Sequence, residues 1–464
     1  MIGIKGVGMT MLAQFLAENG CEISGSDVEE KFMTDEVLAK VGIKVIEKFD
    51  KNNIPGNVDL IIYSTGYNKE TNEEVAVALK KKIKVLTYAE ALAEIFNSQY
   101  GIAVVGSHGK TTTTAWLGYV LDRAGISPNV LVGARVPQFE GLSLVGKSDY
   151  FISEVDEYQN KLQFFHPQAV ILNNIDYDHP DFFPDEKSYC DVFIEFIKKI
   201  PKKGFLIANF DDANTRKIAW VNCHGRVITY AINETADYVA YDIKSDAGRQ
   251  YFKVKFGVSD LDEDEGEKDF KDEDLGDFCI QLHGKHNISN ALAVIVFCIE
   301  LNIDLSEIRK YLEEFTGTAR RMEVMGKFRG AIIVDDYAHH PTEIKATLAG
   351  ARELYKDKNI IVVFHPHTFT RTKEFFSDFS KSFTDADEVI VLDIYGSSRE
   401  KQGGAHSSDL VEKIIEEKSE DGKAKYIPTL EEAENYLRGK AGEGDVIILM
   451  GAGDVFRIGE GLVE

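Results

Sequence analysis

Residues 100–114 read YGIAVVGSHGKTTTT. The run Ile102–Val105 is apolar and rich in branched side chains, as a buried strand requires, and Thr112–Ala124 has the spacing of a helix. Between them stand Gly106, Ser107, His108, Gly109, Lys110, Thr111 and Thr112. Small residues in such a turn let backbone N–H groups wrap a phosphate, and the helix N-terminus adds partial positive charge. Lys110 would reach β- and γ-phosphates, and the Thr111 hydroxyl would hold Mg²⁺. The usual spacing G-x-x-x-x-G-K-[ST] is shortened here, because Val104 stands at the first glycine position. A chance Gly-Lys-Thr turn has no reason to lie between a strand and a helix, so the context argues for a phosphate site and for an α/β sheet.

The same alternation extends in both directions. Upstream, a short strand at Ile2–Ile4, a helix at Met9–Asn19 and strands at Glu22–Ser24 and near Asp59–Ser64 are expected. The first strand is short, as though preceding residues belonged to it. Downstream, buried strands are expected at Tyr150–Glu154 and Ala169–Asn173, and a β-ribbon over residues 226–283. That ribbon includes Asp260–Asp277, with eleven Asp/Glu against two Lys, which reads as a solvated, mobile loop. A third unit follows Gly317, with strands at Ala331–Val334, Ile360–Phe364, Val389–Leu392 and Val446–Met450. One of its helices starts with Pro341, a favoured first position, and another spaces Phe375, Phe379 and Phe383 along one apolar face. At 464 residues and roughly 150 per domain, about three domains are expected.

Composition narrows the partners. The net charge is −24, from 53 Lys+Arg against 77 Asp+Glu, so the surface repels nucleic-acid phosphates and anionic membranes. A phosphate ligand must therefore be held by a local positive site. Cys21, Cys190, Cys223, Cys279 and Cys298 are scattered without metal-site spacing, which fits a reducing compartment. No apolar run approaches ~20 residues, and the N-terminus lacks a secretory pattern, so a cytoplasmic protein is expected.

Further chemistry lies where strands end, which in open α/β sheets is the ligand crevice. Gly6 and Gly8 follow the first strand, and Asp27 follows the second, mimicking a dinucleotide fingerprint except that Met11 replaces the third small residue. A nicotinamide or flavin site, another nucleoside diphosphate site and a structural turn all fit that pattern. Glu154, Asp156 and Glu157 follow one strand; Asn173, Asn174, Asp176, Asp178 and His179 follow the next. Carboxylate and imidazole beside a phosphate loop suit a phosphate-bound metal, though they also suit loop capping. The loops Asp335–His340 and His365–Arg371 add paired histidines and an arginine able to fork onto a carboxylate.

In this order the motifs resemble the Mur ligases, most closely the alanine-adding branch. GIKGVGMT (3–10) resembles that family's uridine-nucleotide loop, and Gly25-Ser26-Asp27 its next strand end. Gly106–Thr112 resembles its ATP loop, shortened spacing included; GKHNISN (284–290), Arg320–Glu323, Asp335–Pro341 and HTFTRT (367–372) complete the likeness. The resemblance implies an α/β chain of three domains: a Rossmann-like UDP-sugar domain (1–98), a central P-loop-type ATPase domain with a β-ribbon insertion (99–316) and a C-terminal Rossmann-like amino-acid domain (317–464). It implies ATP-dependent amide formation between the lactyl carboxylate of UDP-N-acetylmuramate and L-alanine, in peptidoglycan precursor synthesis, by a monomer or homodimer.

Residue by residue, it implies that Lys110 neutralises the transferring phosphoryl group. Thr111, Glu154 and His179 would ligate Mg²⁺ directly or through water. Asn290 would lie by the adenine, Arg321 at phosphate and Asp336 at ribose. His339, His367 and Arg371 would line the alanine end, and Gly6, Gly8, Asp27 and Ser64 would hold the uridine diphosphate. Because Glu154–Tyr158 and Asn173–His179 resemble the tripeptide-adding branch equally well, a murein tripeptide ligase is one alternative. A nicotinamide-dependent oxidoreductase is the other.

Overall fold

A ten-stranded sheet is built around the strand that precedes the phosphate loop. The computed structural model describes residues 1–81, 83–139, 141–257, 272–396, 400, 402–418 and 423–463. In the N-terminal unit β1 (Gly25–Ser26) pairs in parallel with β2 (Val45–Ile46), and β3 (Leu60–Tyr63) with β4 (Lys84–Thr87). Buried Ile2 bridges to both Ser26 and Tyr63, so one residue stitches the two pairs together. The strand expected at Ile2–Ile4 is thus reduced to a bridge. The chain turns at Gly3 (φ +76°), where Tyr67 and Ser64 leave no room for a Cβ, and the Lys5 N–H donates to the Asp27 carboxylate instead of to a neighbouring strand. The second strand likewise lies at 25–26 rather than 22–24.

The helix Val7–Glu18 follows. Its Met11 and Phe15 do not pack on their own unit alone. They join Phe96, Leu142 and Phe151 in one core, so the residue that breaks the glycine fingerprint docks this unit onto the central sheet.

The central sheet contains β5 (Tyr100–Val105), β6 (Asn129–Val136), β7 (Gly141–Leu144), β8 (Tyr150–Glu154), β9 (Ala169–Leu172), β10 (Phe205–Asn209), β11 (Arg226–Ala231), β12 (Tyr238–Asp246), β13 (Arg249–Gly257) and β14 (Asp272–Ile280). Their order is β14-β13-β12-β11-β10-β9-β5-β8-β6-β7. The β8, β5 and β9 strands are adjacent and parallel, so Glu154, the phosphate loop and Asn173 emerge together at one edge. The expected ribbon is not a separate insertion: β11 and β12 continue the parallel sheet, and β13 and β14 extend it in antiparallel fashion. Residues 272–277 of the acidic stretch belong to a paired strand, not to a loop; residues 260–271 lie outside the described residues. The helices Lys110–Arg123 and Lys285–Glu300 cover one face, where Trp116 stacks on Phe315 at 5.2 Å.

The C-terminal sheet comprises β15 (Glu323–Phe328), β16 (Ala331–Asp336), β17 (Asn359–Phe364), β18 (Glu388–Val391), β19 (Ala424–Tyr426) and β20 (Asp445–Met450), in the order β15-β16-β20-β17-β18-β19, antiparallel only at β15. Pro341 opens the helix Pro341–Leu354, capped by the His340 side chain. The single helix expected to carry three phenylalanines is broken into Phe369–Glu374 and Phe376–Ser380. Phe379 and Phe383 still pack beneath Phe364, but Phe375, at the break, turns its ring edge onto His340 at 4.8 Å. Among the described residues no helix is long and apolar enough to cross a membrane.

Candidate active site

The phosphate loop is shaped by sterics before electrostatics. Gly106 (φ +129°) and Gly109 (φ +81°) lie in the region that favours glycine. A Cβ on Gly106 would lie 2.7 Å from the Asn174 carbonyl oxygen, and one on Gly109 would lie 2.6 Å from Asn290 Oδ1. The His108 N–H donates to Asn174 Oδ1 at 2.8 Å, and the amides of Asn173 and Asn174 donate to its carbonyl. The segment after β9 therefore holds the loop backbone in place.

Two charges sit beneath this loop. Lys110 Nζ donates to the carbonyls of Gly106 and Ser107 and to Glu157 Oε2 at 3.1 Å. Burial opposes its charge, but Glu157 overrides burial and raises the lysine above its ordinary value. Glu157 also accepts from the Tyr189 hydroxyl at 2.9 Å.

Beside the loop the Thr111 hydroxyl donates to Glu154 Oε2 at 2.8 Å, and Glu154 Oε1 accepts the Gly133 N–H. Burial raises the Glu154 carboxyl above its usual range. Asp156, Glu157 and His179 place ligand atoms within 4.8 Å of one another. Although burial alone would raise Asp156, Lys161, His179 and Lys110 hold it at about 2. His179 itself adopts φ +57° and lays its ring against Tyr158 at 4.6 Å. A hydroxyl, carboxylates and an imidazole at a phosphate loop form a donor set that fits a divalent cation carried by phosphate.

The C-terminal unit closes the site. Arg320 is buried, with Nε donating to Asp335 and Nη2 to the Gly451 carbonyl, and lines only the smaller cavity; neighbouring Arg321, over Tyr337, lines both. Asp336 accepts from the N–H groups of Met322 and Ala338. His339 Nδ1 lies 3.0 Å from the Tyr337 carbonyl, and burial keeps the ring neutral, at about 4. Burial, together with His339 and Arg371, pushes His367 down to about 3, and its ring stacks on Tyr395. Arg371 forks onto Asp178 through Nε (2.8 Å) and Nη2 (3.1 Å), while Nη1 faces His367.

Two cavities open at this junction. One, of about 560 Å³, is lined by Gly6, Gly8 and Ser64 at one end and by Lys110, Glu154, His179 and His339 at the other. The second, of about 930 Å³, holds Thr112, Asn290 and Asp336 on its walls. His108, Gly109, Arg321 and Glu343 line both. Asp27, His367 and Arg371 line neither. Asp27 instead accepts from the N–H groups of Lys5 and Val28, bracing the N-terminal turn. Four residues come to the fore only in three dimensions: Glu157, Asp178, Tyr189 and Glu343. Glu157 and Asp178 belong to clusters visible at strand ends. Glu343 carries no motif, because an acid in a first helical turn reads as a partner for the helix dipole.

Known proteins resemble this chain over its whole length. The catalytic domain of the Mur ligase family matches residues 1–100, the Mur ligase middle domain residues 104–298, and the Mur ligase, glutamate ligase domain residues 320–453. A UDP-N-acetylmuramate–L-alanine ligase of Desulfitobacterium hafniense is 39% identical over 464 residues, covering 100% of this chain and 98% of that protein. One of Clostridium kluyveri is 40% identical over 462 residues, covering 99% and 96%. Among solved structures, a UDP-N-acetylmuramate-alanine ligase from Thermotoga maritima superposes with a TM-score of 0.81 at 24% identity, covering 99% of this chain and 97% of that one. A murein peptide ligase from Psychrobacter arcticus superposes at 0.72 and 23% identity, with the same coverage. These two share the fold.

Proposed function

The chain belongs to the Mur ligase family, and from that premise we propose that it is an ATP-dependent ligase joining L-alanine to UDP-N-acetylmuramate through an acyl phosphate, a step of peptidoglycan precursor synthesis. A carboxylate is a poor electrophile. Transfer of the γ-phosphoryl group to the lactyl carboxylate releases ADP and makes a good leaving group. The alanine amine then attacks the carbonyl carbon, and the tetrahedral intermediate expels phosphate as the amine loses a proton. Positioning and charge neutralisation supply most of the acceleration.

The observation that carries this reading is the pair of cavities meeting at His108, Gly109, Arg321 and Glu343. A triphosphate extended along the larger cavity, past Asn290 and Asp336, brings its terminal phosphoryl group to the end of the smaller one. The other end of that smaller cavity is the Gly6–Gly8 turn at the start of the helix Val7–Glu18, an end that suits a diphosphate. In this reading Lys110 neutralises the transferring group and Arg321 holds phosphate. Thr111 and Glu154 would hold Mg²⁺, with His179 bound directly or through water; the ion supplies charge neutralisation at the phosphate oxygens. His339 would line the acceptor end, with His367 and Arg371 supporting it from behind. Neutral His339, with Nδ1–H given to the Tyr337 carbonyl, leaves Nε2 as an acceptor for an amine N–H without repelling an ammonium; His367 Nδ1 is already taken by Arg371. Asp27 contributes by holding the uridine-side turn, and Ser64 lines it. All of these residues come from one chain, so a monomer or a homodimer would each suffice. Nucleotide substrates place the reaction in the cytoplasm. A nicotinamide-dependent oxidoreductase leaves Lys110 and Thr111 without work.

The decisive test is product mass spectrometry with ATP, Mg²⁺, UDP-N-acetylmuramate and a panel of L-alanine, glycine, L-serine and a murein tripeptide. The expected outcome is an alanyl product, favoured over the glycyl one by about 10- to 200-fold for a single methyl group. A product from the tripeptide alone would move the chain to the other branch.

A further inference from the structure

His108, in the phosphate loop, and Glu343 both line the two cavities and have no part in the mechanism above. The two meet across the junction of the central and C-terminal units. His108 Nδ1 lies 3.2 Å from Glu343 Oε1, and Nε2 lies 2.9 Å from Asp176 Oδ2. Carboxylates only accept, so both ring nitrogens carry hydrogen and the ring is an imidazolium. Burial opposes that charge, but the hydrogen bonds to Asp176 and Glu343 win and raise the histidine to about 9. The main chain of His108 is itself clamped by Asn173 and Asn174.

The other oxygen of Glu343 accepts from the His339 N–H at 3.1 Å and lies 3.2 Å from His339 Nδ1. Oε1 lies 3.8 Å from Arg321 Nη1. One carboxylate thus touches the phosphate loop, the phosphate-side arginine and the acceptor-side histidine. Asp176 flanks it, accepting from the Thr342 hydroxyl at 2.7 Å. Simple docking of two units would not require this convergence, and burying ions costs several kcal/mol each unless their geometry is good.

We propose that His108 and Glu343 are a positioning pair for the ligation: the loop imidazolium holds the carboxylate that orients Arg321 and His339, so the acceptor end is assembled only against a correctly formed phosphate loop. The inference deepens the ligase reading and rests on it. Its test uses full-length wild type, His108→Gln, Glu343→Gln and the double variant. Each single variant is expected to raise KM for L-alanine about tenfold or more, and to weaken binding of a non-hydrolysable ATP analogue, by calorimetry, by a clearly smaller factor, because Arg321 loses its carboxylate neighbour. The double variant should be no worse than the worse single one. Multiplicative losses, or an unchanged KM for L-alanine, overturn the pair.

A second measurement needs neither turnover nor a stable variant at every position. In wild type labelled with ¹⁵N-histidine at pH 8, with His108 assigned through whichever variant folds, both ring nitrogens should be protonated, and Glu343→Gln should abolish that signature. A singly protonated ring in wild type overturns the proposal. If wild type forms no alanyl product while the signature is present, the ligase reading fails and takes the positioning role with it, leaving only a buried ion pair; if product forms while the signature is absent, the ligase reading stands and the pair fails.

Discussion

Glu154 is the carboxylate most tightly fixed beside the Thr111 end of the loop. It accepts from Thr111 and from the Gly133 N–H, and a Cβ on Gly133 would lie 2.5 Å from its Oε1, so its rotamer is set by backbone as well as by hydrogen bonds. Glu154→Ala should lower ADP formation by about a hundredfold or more while UDP-N-acetylmuramate still binds in calorimetry; near-normal turnover would remove Glu154 from the metal role. His108 makes a prediction of the opposite kind, about stability. Its folded-state value of about 9 lies above the unfolded 6.5, so its contribution is fully present below pH 6.5 and is lost as pH rises through 9. Denaturant unfolding should show a loss on the order of 3 kcal/mol across that window, and His108→Gln should flatten it. An equal loss in the variant would assign the effect to other groups.

At the scale of an element, the segment after β9 does more than end a strand. Within 173–179 Asn173 and Asn174 grip the phosphate loop, Asp176 and Asp178 reach the C-terminal unit, and His179 turns toward the metal-ligand cluster. A strand end on a rigid parallel sheet can do this because its neighbours β5 and β10 fix its direction. Gly109→Ala tests the fit. The added Cβ would meet Asn290 Oδ1 at 2.6 Å and Asn173 Nδ2 at 2.8 Å at a φ of +81°. ATP affinity should fall by about a hundredfold, since both the left-handed conformation and the amide contacts resist the methyl group. Retained binding in a nucleotide titration would show that the loop can shift at little cost.

Across the whole molecule the C-terminal unit touches both others, with very different strength. Arg371 and Asp178 are buried and joined by two hydrogen bonds, whereas Arg457 meets Glu30 of the N-terminal unit at 3.5 Å with both side chains largely in water. Removing one member of a buried pair strands the other and costs about 3–5 kcal/mol, while an exposed pair contributes about 0–1 kcal/mol. Arg371→Ala should therefore lower thermal stability markedly and Arg457→Ala barely. Equal shifts in the melting temperature would mean that Asp178 finds water or a new partner when Arg371 is removed.

Much of this protein was legible before any coordinate. Strand, glycine turn and helix at 102–124 specified an α/β unit, because that signal is local: apolar spacing and backbone freedom within a few residues. The same holds for the strands at 150–154 and 169–172, for Pro341 at a helix start and for the histidine loops. The readings that failed were local patterns overruled from outside. Ile2–Ile4 gave way to a turn at Gly3, and one phenylalanine helix broke where Phe375 turned to His340. Met11, an apparent flaw in a glycine fingerprint, is sound packing against the central sheet. What only the tertiary structure decided is the pairing of charges: Asp178 with Arg371, 193 residues apart, and His108 with Glu343, 235 apart. Hydrophobic period and turn chemistry reach only a few residues along the chain, while a buried charge takes its partner from whatever element the folded topology sets beside it.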